Sequence, residues 1–230
     1  MRLKFFLCFL VSLAMGSAVA AQEVGGAIDP QATAATPAAD PENTLLLDLS
    51  TGGRVTIRLR PDVAPVHVER IKTLARQGFY NGIIFHRVIE GFMAQTGDPT
   101  GTGQGGSQLP DINAEFSGLP HVRGTVSMAR TNDPNTANSQ FFIVFMPRLA
   151  LDRNYSVFGR VVSGMEYVDA IPRGEPPANP ARILRASVAA DNVPPPTAAE
   201  IAAANSAPAA PDPAAAIDAA LAAEAAGNGE

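Results

Sequence analysis

Residues 44–59 constrain the fold more than any other stretch of this chain. Thr44-Leu45-Leu46-Leu47-Asp48-Leu49 and Arg54-Val55-Thr56-Ile57-Arg58-Leu59 are two strand-like runs joined by Thr51-Gly52-Gly53. In the second run Val55, Ile57 and Leu59 alternate with Arg54, Thr56, Arg58 and Arg60, giving one apolar face and one wet face. Glycines in so short a connection supply the turn geometry of a hairpin. The chain therefore starts an antiparallel sheet with a single buried face.

The rest continues in the same style. Pro65 opens a helix at its first position, Ala64, Val68, Ile71 and Ala75 recur at helical spacing beside Leu74, and Gly78 stops it. Further strands are predicted at Ile83–Ile89, Phe92–Thr96, Thr125–Ala129, Gln140–Phe145, Ser156–Val162 and Arg182–Ala189. A second helix is predicted near Met165–Ile171, limited by Pro172. Helices do not alternate regularly with these strands, which argues against a parallel α/β sheet. A mostly β fold is expected, a closed eight-stranded antiparallel barrel capped by two α-helices.

The ends have a different composition. Arg2 and Lys4, the apolar stretch Phe5–Met15 and Ala18-Val19-Ala20 read as a secretory signal peptide over residues 1–20, cleaved near Ala20. Export to the periplasm follows from that reading, with no stable membrane insertion after cleavage, because the apolar stretch is short for a span. Cys8 is the one cysteine and lies inside the leader, so disulfides and thiol chemistry are not expected in the exported chain. Residues 21–42 read as a flexible linker and residues 191–230 as a disordered tail rich in Ala and Pro. Residues 43–190 form the one folded domain. A net charge of −5 argues against nucleic acid as a partner. The folded segment shows no exposed apolar stripe, and a monomer is expected.

Several chemistries lack their residues. The histidines His67, His86 and His121 are scattered, so no metal centre is expected. Gly101-Thr102-Gly103-Gln104-Gly105-Gly106 lacks the Lys of a phosphate loop and reads as a surface loop. There is no Gly-x-Ser-x-Gly elbow for a serine hydrolase. No cofactor is implied.

One run demands an explanation. Phe85-His86-Arg87-Val88-Ile89-Glu90-Gly91-Phe92-Met93-Ala94-Gln95 sets a guanidinium among apolar residues. Such a cation is costly to dehydrate without a partner. Arg87 therefore pairs with a carboxylate, Glu90 being the nearby one, or meets something outside the chain. A second run is Ser127-Met128-Ala129-Arg130-Thr131-Asn132-Asp133-Pro134-Asn135-Thr136-Ala137-Asn138-Ser139-Gln140-Phe141-Phe142-Ile143. From residue types alone Phe92, Phe141, Phe142 and Met93 read as core, Gln95 and Gln140 as solvent-facing strand residues, and His86 as a structural histidine.

Together the two runs resemble the cyclophilin family of peptidyl-prolyl cis–trans isomerases, in its compact bacterial form. Gln77-Gly78-Phe79-Tyr80-Asn81-Gly82, Gly97-Asp98 and Val157-Phe158-Gly159 fit the same pattern, so the resemblance covers about Thr44 to Ala189. It implies a barrel with a groove on its outer surface and an isomerase acting on X–Pro bonds of folding proteins. By the resemblance, Arg87 is the catalytic arginine. Phe92, Met93, Phe142 and Leu151 receive the proline ring. Gln95 and Gln140 line the groove, Ala129 and Arg130 form the wall that holds the substrate backbone, and His86 stands beside the arginine. Tyr155 occupies the pocket position often held by His, and Ala150 the position often held by Trp, from which weak cyclosporin binding is expected. Arg130 stands where many members have Asn, and Glu90 where Pro is common. The partners implied are proline-containing polypeptides.

Two readings of different class follow. One is an active isomerase, which needs Arg87; the other is a proline-binding chaperone or scaffold, which needs only the groove. An intact Arg87 favours the first.

Overall fold

The structure, a computed structural model, describes residues 40–206. The expected signal peptide, most of the linker and the tail beyond Ser206 lie outside the described residues. Eight strands are present: β1 (Thr44–Leu49), β2 (Gly53–Leu59), β3 (Arg87–Ile89), β4 (Met93–Thr96), β5 (Thr125–Met128), β6 (Phe141–Val144), β7 (Val157–Ser163) and β8 (Ile183–Val188). They form one sheet in the order β3-β4-β6-β5-β7-β2-β1-β8, with every pairing antiparallel. The hairpin that opens the domain pairs Thr44 with Arg58 and Leu49 with Gly53.

The expected closed barrel is corrected. The strand ladder stops at β3 and β8, leaving an open half-barrel. The reason lies in Gly82 and in residues 83–86, the latter predicted as the first half of a strand. Gly82 takes φ +84°, and the segment meets β8 only through the Ile84–Arg182 bridge and a few backbone bonds, among them Phe85 N to Ala181 O at 2.9 Å. Regular pairing begins only at Arg87, so β3 is three residues long.

Helix α1 (Pro65–Arg76) buries His67, Val68, Ile71, Lys72, Leu74 and Ala75 and packs on β8 and β7. Helix α2 (Met165–Asp169) packs on β2 and is shorter than predicted. A third helix, α3 (Ala198–Ser206), stands where a disordered tail was expected. Thr197 and Glu200 explain its start. Glu200 N–H donates to Thr197 Oγ1 at 3.2 Å and Thr197 N–H to Glu200 Oε2 at 2.6 Å, a reciprocal capping box ahead of an Ala-rich run.

The main core lies on the inner face of the sheet and includes Leu45, Leu47, Leu49, Val55, Ile57, Leu59, Phe141, Ile143 and Phe158. Strand β6 breaks the one-wet-face rule, since all four of its residues are buried. Phe141 and Ile143 join the main core, while Phe142 and Val144 join a second, separate cluster with Met93. Side chains alternate along a strand, so this second cluster sits on the outer face of the sheet.

Candidate active site on the outer face

Strand register builds the site. Arg87 pairs with Gln95, Gln95 with Phe142, and Phe142 with Ser127. Residues directly opposite one another in antiparallel strands share a face. These four therefore form one row across β3, β4, β6 and β5, with strands about 4.8 Å apart. The adjacent row runs Ile89, Met93, Val144. Gly91, at φ +64°, makes the tight turn between β3 and β4 and so fixes both rows.

The second apolar cluster is the pocket. Met93, Phe142 and Val144 form its floor, and Ile89, Phe92, Ala129, Leu151 and Tyr155 pack around them. Tyr155 meets Phe142 edge-on, ring centroids 5.7 Å apart. The residues expected to receive a proline ring, Phe92, Met93, Phe142 and Leu151, are thus together, with Ala129 and Tyr155 beside them. Phe92 and Met93 are joined to this outer cluster and not to the main core.

A polar groove of about 650 Å³ continues from the pocket. Gln95, Ala129, Arg130, Gln140 and Tyr155 line it, as does the glycine-rich loop through Gly103 and Gly105. Gln95 Nε2 donates to Gln140 Oε1 at 2.9 Å, and Gln140 Nε2 donates to the carbonyls of Gly103 (3.0 Å) and Gly105 (2.8 Å). Gly97 permits this belt. A side chain there would come within 2.3 Å of the Ser139 carbonyl, so only glycine lets β4 approach the start of β6 so closely. Asp98 shapes the loop from beneath. Its buried carboxylate accepts from Thr100 N, Gly103 N and Gly105 N, at 2.8, 2.6 and 3.1 Å. Burial pushes the Asp98 carboxyl up, and these hydrogen bonds together bring it below the ordinary value.

Arg87 is half-exposed, and its Nε lies 3.4 Å from Glu175 Oε2. Its Nη donors make no hydrogen bond to the described residues. Glu90, one of the two alternatives the sequence left for Arg87, binds Arg173 instead, at 2.7 Å.

His86 joins neither the pocket nor the groove. It is 5% exposed, packed under the glycine-rich loop at Gly103, and both ring nitrogens lack a hydrogen-bond partner among the described residues. Burial pushes its pKa down, favouring the neutral ring.

The sequence reading missed a polar pillar beneath the pocket. Ser127 Oγ lies 2.8 Å from His121 Nε2, and His121 Nδ1 lies 2.9 Å from Asp152 Oδ1. The order of bonds matches a hydrolytic triad, yet Ser127 and His121 are fully buried. The hydroxyl cannot reach a client. The His121 ring instead stacks on Phe142, centroids 6.2 Å apart and 20° between planes, and so supports the pocket floor. The three residues come from separate segments, and no local spacing announces them.

An antiparallel β protein with an apolar pocket on its outer face, a hydrogen-bonded groove beside it and one guanidinium in the same row defines a binder of extended peptide. Comparison with known proteins narrows that class. Residues 46–188 match the family described as cyclophilin type peptidyl-prolyl cis-trans isomerase/CLD. The chain is 52% identical over 170 residues to a probable peptidyl-prolyl cis-trans isomerase of Brucella suis, covering 67% of this chain and 86% of that one. It is 42% identical over 145 residues to a peptidyl-prolyl cis-trans isomerase-like 1 protein of Aspergillus fumigatus, covering 59% of this chain and 89% of that one. Among solved structures, a cyclophilin from Hirschia baltica superposes with a TM-score of 0.62 at 32% identity, covering 67% of this chain and 77% of that one. A Cryptosporidium parvum cyclophilin type isomerase, crystallised in the presence of the dipeptide Ala-Pro, gives 0.59 at 29% identity, covering 63% and 98%. The chain belongs to the cyclophilin-type peptidyl-prolyl cis–trans isomerases.

Proposed function

We propose that Arg87 is the catalytic group of this isomerase and that the outer pocket receives the proline ring of the client. The observation that carries the proposal is the cross-strand row that sets Arg87 beside Gln95 and Phe142, with Arg87's Nη donors making no hydrogen bond among the described residues.

The reaction breaks no covalent bond. The X–Pro amide must twist through a barrier of about 18–20 kcal/mol set by its resonance. In the twisted state the prolyl nitrogen recovers its lone pair and accepts a hydrogen bond that the planar amide does not. A guanidinium directed there binds the twisted state more tightly than either planar isomer, which lowers the barrier. A preorganised donor of this kind contributes about 3–4 kcal/mol. Phe92, Met93, Phe142 and Leu151 hold the ring, while Gln95, Gln140, Ala129 and Arg130 hold the flanking backbone. Rotation is then confined to one side of the bond.

The chain acts, in this proposal, as a monomer on X–Pro bonds of proteins folding in the periplasm, where slow isomerisation limits folding. The leader-like start, Arg2 and Lys4 before Phe5–Met15 and Ala18-Val19-Ala20, supports export. Sequencing of the secreted protein is expected to begin near Ala21 or Gln22, and a retained Met1 would remove the export reading.

NMR exchange on an Ala-Pro peptide tests the catalytic assignment. The wild type is expected to accelerate exchange, and Arg87→Ala to lose about 100-fold or more of that acceleration with the fold intact. Equal rates in the two proteins would remove Arg87 from the mechanism.

A further inference from the structure

Two walls of the pocket each carry a guanidinium. Arg148 lies over the Phe92 ring, 5.0 Å from its centroid, and Arg130 lies over the Tyr155 ring, 4.6 Å from its centroid. Neither has a carboxylate partner among the described residues. Arg130 is held by three backbone carbonyls: Thr131 O at 2.8 Å, Asn132 O at 3.3 Å and Asn154 O at 2.9 Å. Its Nε is buried without a hydrogen-bond partner among the described residues. Arg148 is exposed, and apart from the Phe92 ring its side chain has no partner among the described residues.

The acids around the site are, by contrast, engaged. Glu175 faces Arg87 at 3.4 Å, and Glu90 binds Arg173 at 2.7 Å. Asp152 accepts from His121 N at 2.8 Å, and Asp111, on the groove wall, accepts from Asn138 Nδ2 at 2.9 Å. The chain as a whole carries a net charge of −5, yet its pocket is bordered by two cations with no carboxylate partner among the described residues. Arg148, resting on an aromatic face with its donors otherwise uncommitted among the described residues, presents a planar set that matches a carboxylate, while Arg130, most of its donors held by backbone carbonyls, contributes chiefly a fixed positive charge.

We infer that the site prefers clients with an Asp or Glu within one or two residues of the proline, and that Arg148 and Arg130 determine this preference. The inference rests on the outer pocket being the proline site. The geometry sets the range. One residue of extended chain spans about 3.3–3.6 Å, so a cation on a pocket wall reaches the side chains next to a seated proline. Two arginines on two different walls serve acids on either side of it.

The test compares peptides with Glu or Lys immediately before or after proline, together with a neutral Ala-Pro peptide, at low and high salt. In the wild type the Glu peptides should exceed their Lys counterparts in kcat/KM by about threefold to tenfold. The ratio should fall towards unity near 1 M salt, where the Debye length is about 3 Å. Arg148→Glu should abolish or invert the preference at one of the two positions, and Arg130→Gln should weaken it at the other, melting curves establishing that both variants fold. Glu and Lys peptides within about twofold of each other at low salt, or a preference unchanged in both variants, would overturn the inference. The neutral peptide with Arg87→Ala separates this result from the isomerase assignment. If the wild type does not turn over the neutral peptide, the same Glu and Lys peptides are titrated by NMR, and their Kd ratio decides the charge preference alone.

Discussion

Arg87 and Glu175 approach to 3.4 Å at the edge of the half-barrel although they lie far apart in sequence. The contact is made by the loop between α2 and β8. Val88 N donates to Gly174 O at 2.8 Å and Gly174 N to Val88 O at 2.9 Å, which docks this loop onto β3 one residue from each partner. Both side chains are about half-exposed, and an ion pair in that setting contributes at most about 1 kcal/mol. The pairing leaves the guanidinium's charge largely available to a client.

Glu175→Gln should therefore change kcat/KM for a neutral Ala-Pro peptide by no more than about threefold, the scale of one exposed ion pair. Loss of activity comparable to that of Arg87→Ala would instead make Glu175 essential to the arginine's action. The two variants are compared in one exchange experiment.

Gln140 ties the groove together through one acceptor bond from Gln95 and two donor bonds to the glycine-rich loop. Gln140→Ala removes all three but touches no atom of the proline pocket's apolar floor. The expected result is a higher KM with kcat nearly unchanged, and a stability loss of about 1 kcal/mol, since the freed carbonyls of Gly103 and Gly105 are open to water. A fall confined to kcat would mean that the belt positions the reacting bond rather than the client backbone.

Much of this site was legible in the sequence because strand register is a local code. The alternation at Val55, Ile57 and Leu59 gives the inner face of β2, and the buried pattern follows it. Phe142 and Met93 were not legible from residue type, since an aromatic or Met in a strand reads as core. Both are indeed buried, and only β6 pairing on both sides reveals that their cluster is the outer one. The carboxylate nearest Arg87 in space was not legible for a similar reason. Glu90 is near in sequence, but the Gly91 turn and the docked α2–β8 loop give it Arg173 and give Arg87 Glu175. The open ladder was hidden because residues 82–86 are as apolar as a strand, while their backbone bonds to β8 are isolated. His86 is buried as its residue type suggested, and its place in the groove came only from the resemblance, because adjacency to Arg87 in sequence does not place two side chains on one face.

Arg153 takes φ +61° in the short connection between Leu151 and Tyr155, a conformation that costs a residue with a Cβ about 1 kcal/mol or more. Its side chain is exposed. Arg153→Gly removes the steric cost, offset in part by the greater freedom of glycine in the unfolded chain. A net gain of up to about 1 kcal/mol is expected in urea denaturation. A loss of similar size would mean that the arginine makes a compensating interaction at this turn.

The fold should also lose stability in two stages as pH falls, through His67 and Glu115. Helix α1 begins after Ala64, which has no side-chain oxygen to cap it. Glu115 substitutes from a distant loop, accepting Val66 N at 3.1 Å and His67 N at 3.0 Å, with His67 Nδ1 at 2.5 Å. Burial lowers the His67 pKa, and Glu115 only partly opposes it, because the ring is fully enclosed and its Nε2 has no hydrogen-bond partner among the described residues. The neutral ring is thus favoured in the fold. That contribution is fully present above about pH 6.5, the ordinary histidine value, and is lost as pH falls through the lower folded value. Burial alone would raise the Glu115 carboxyl, but the His67 ring and the two backbone N–H groups bring it below its ordinary value. Its contribution is present above about pH 4.3 and is lost in the more acidic stage, as pH falls through the lowered value. Denaturant titrations from pH 8 to pH 3 should show both stages in the wild type. His67→Phe should reduce the slope of the first, the remainder coming from the buried His86 ring, whose pKa burial also lowers, and Glu115→Ala should cost about 2 kcal/mol at neutral pH through the lost cap and its charge-assisted bonds. An unchanged slope between pH 6.5 and 5 in His67→Phe would assign the first stage to another group, and a cost below about 0.5 kcal/mol for Glu115→Ala would mean that water caps α1 equally well.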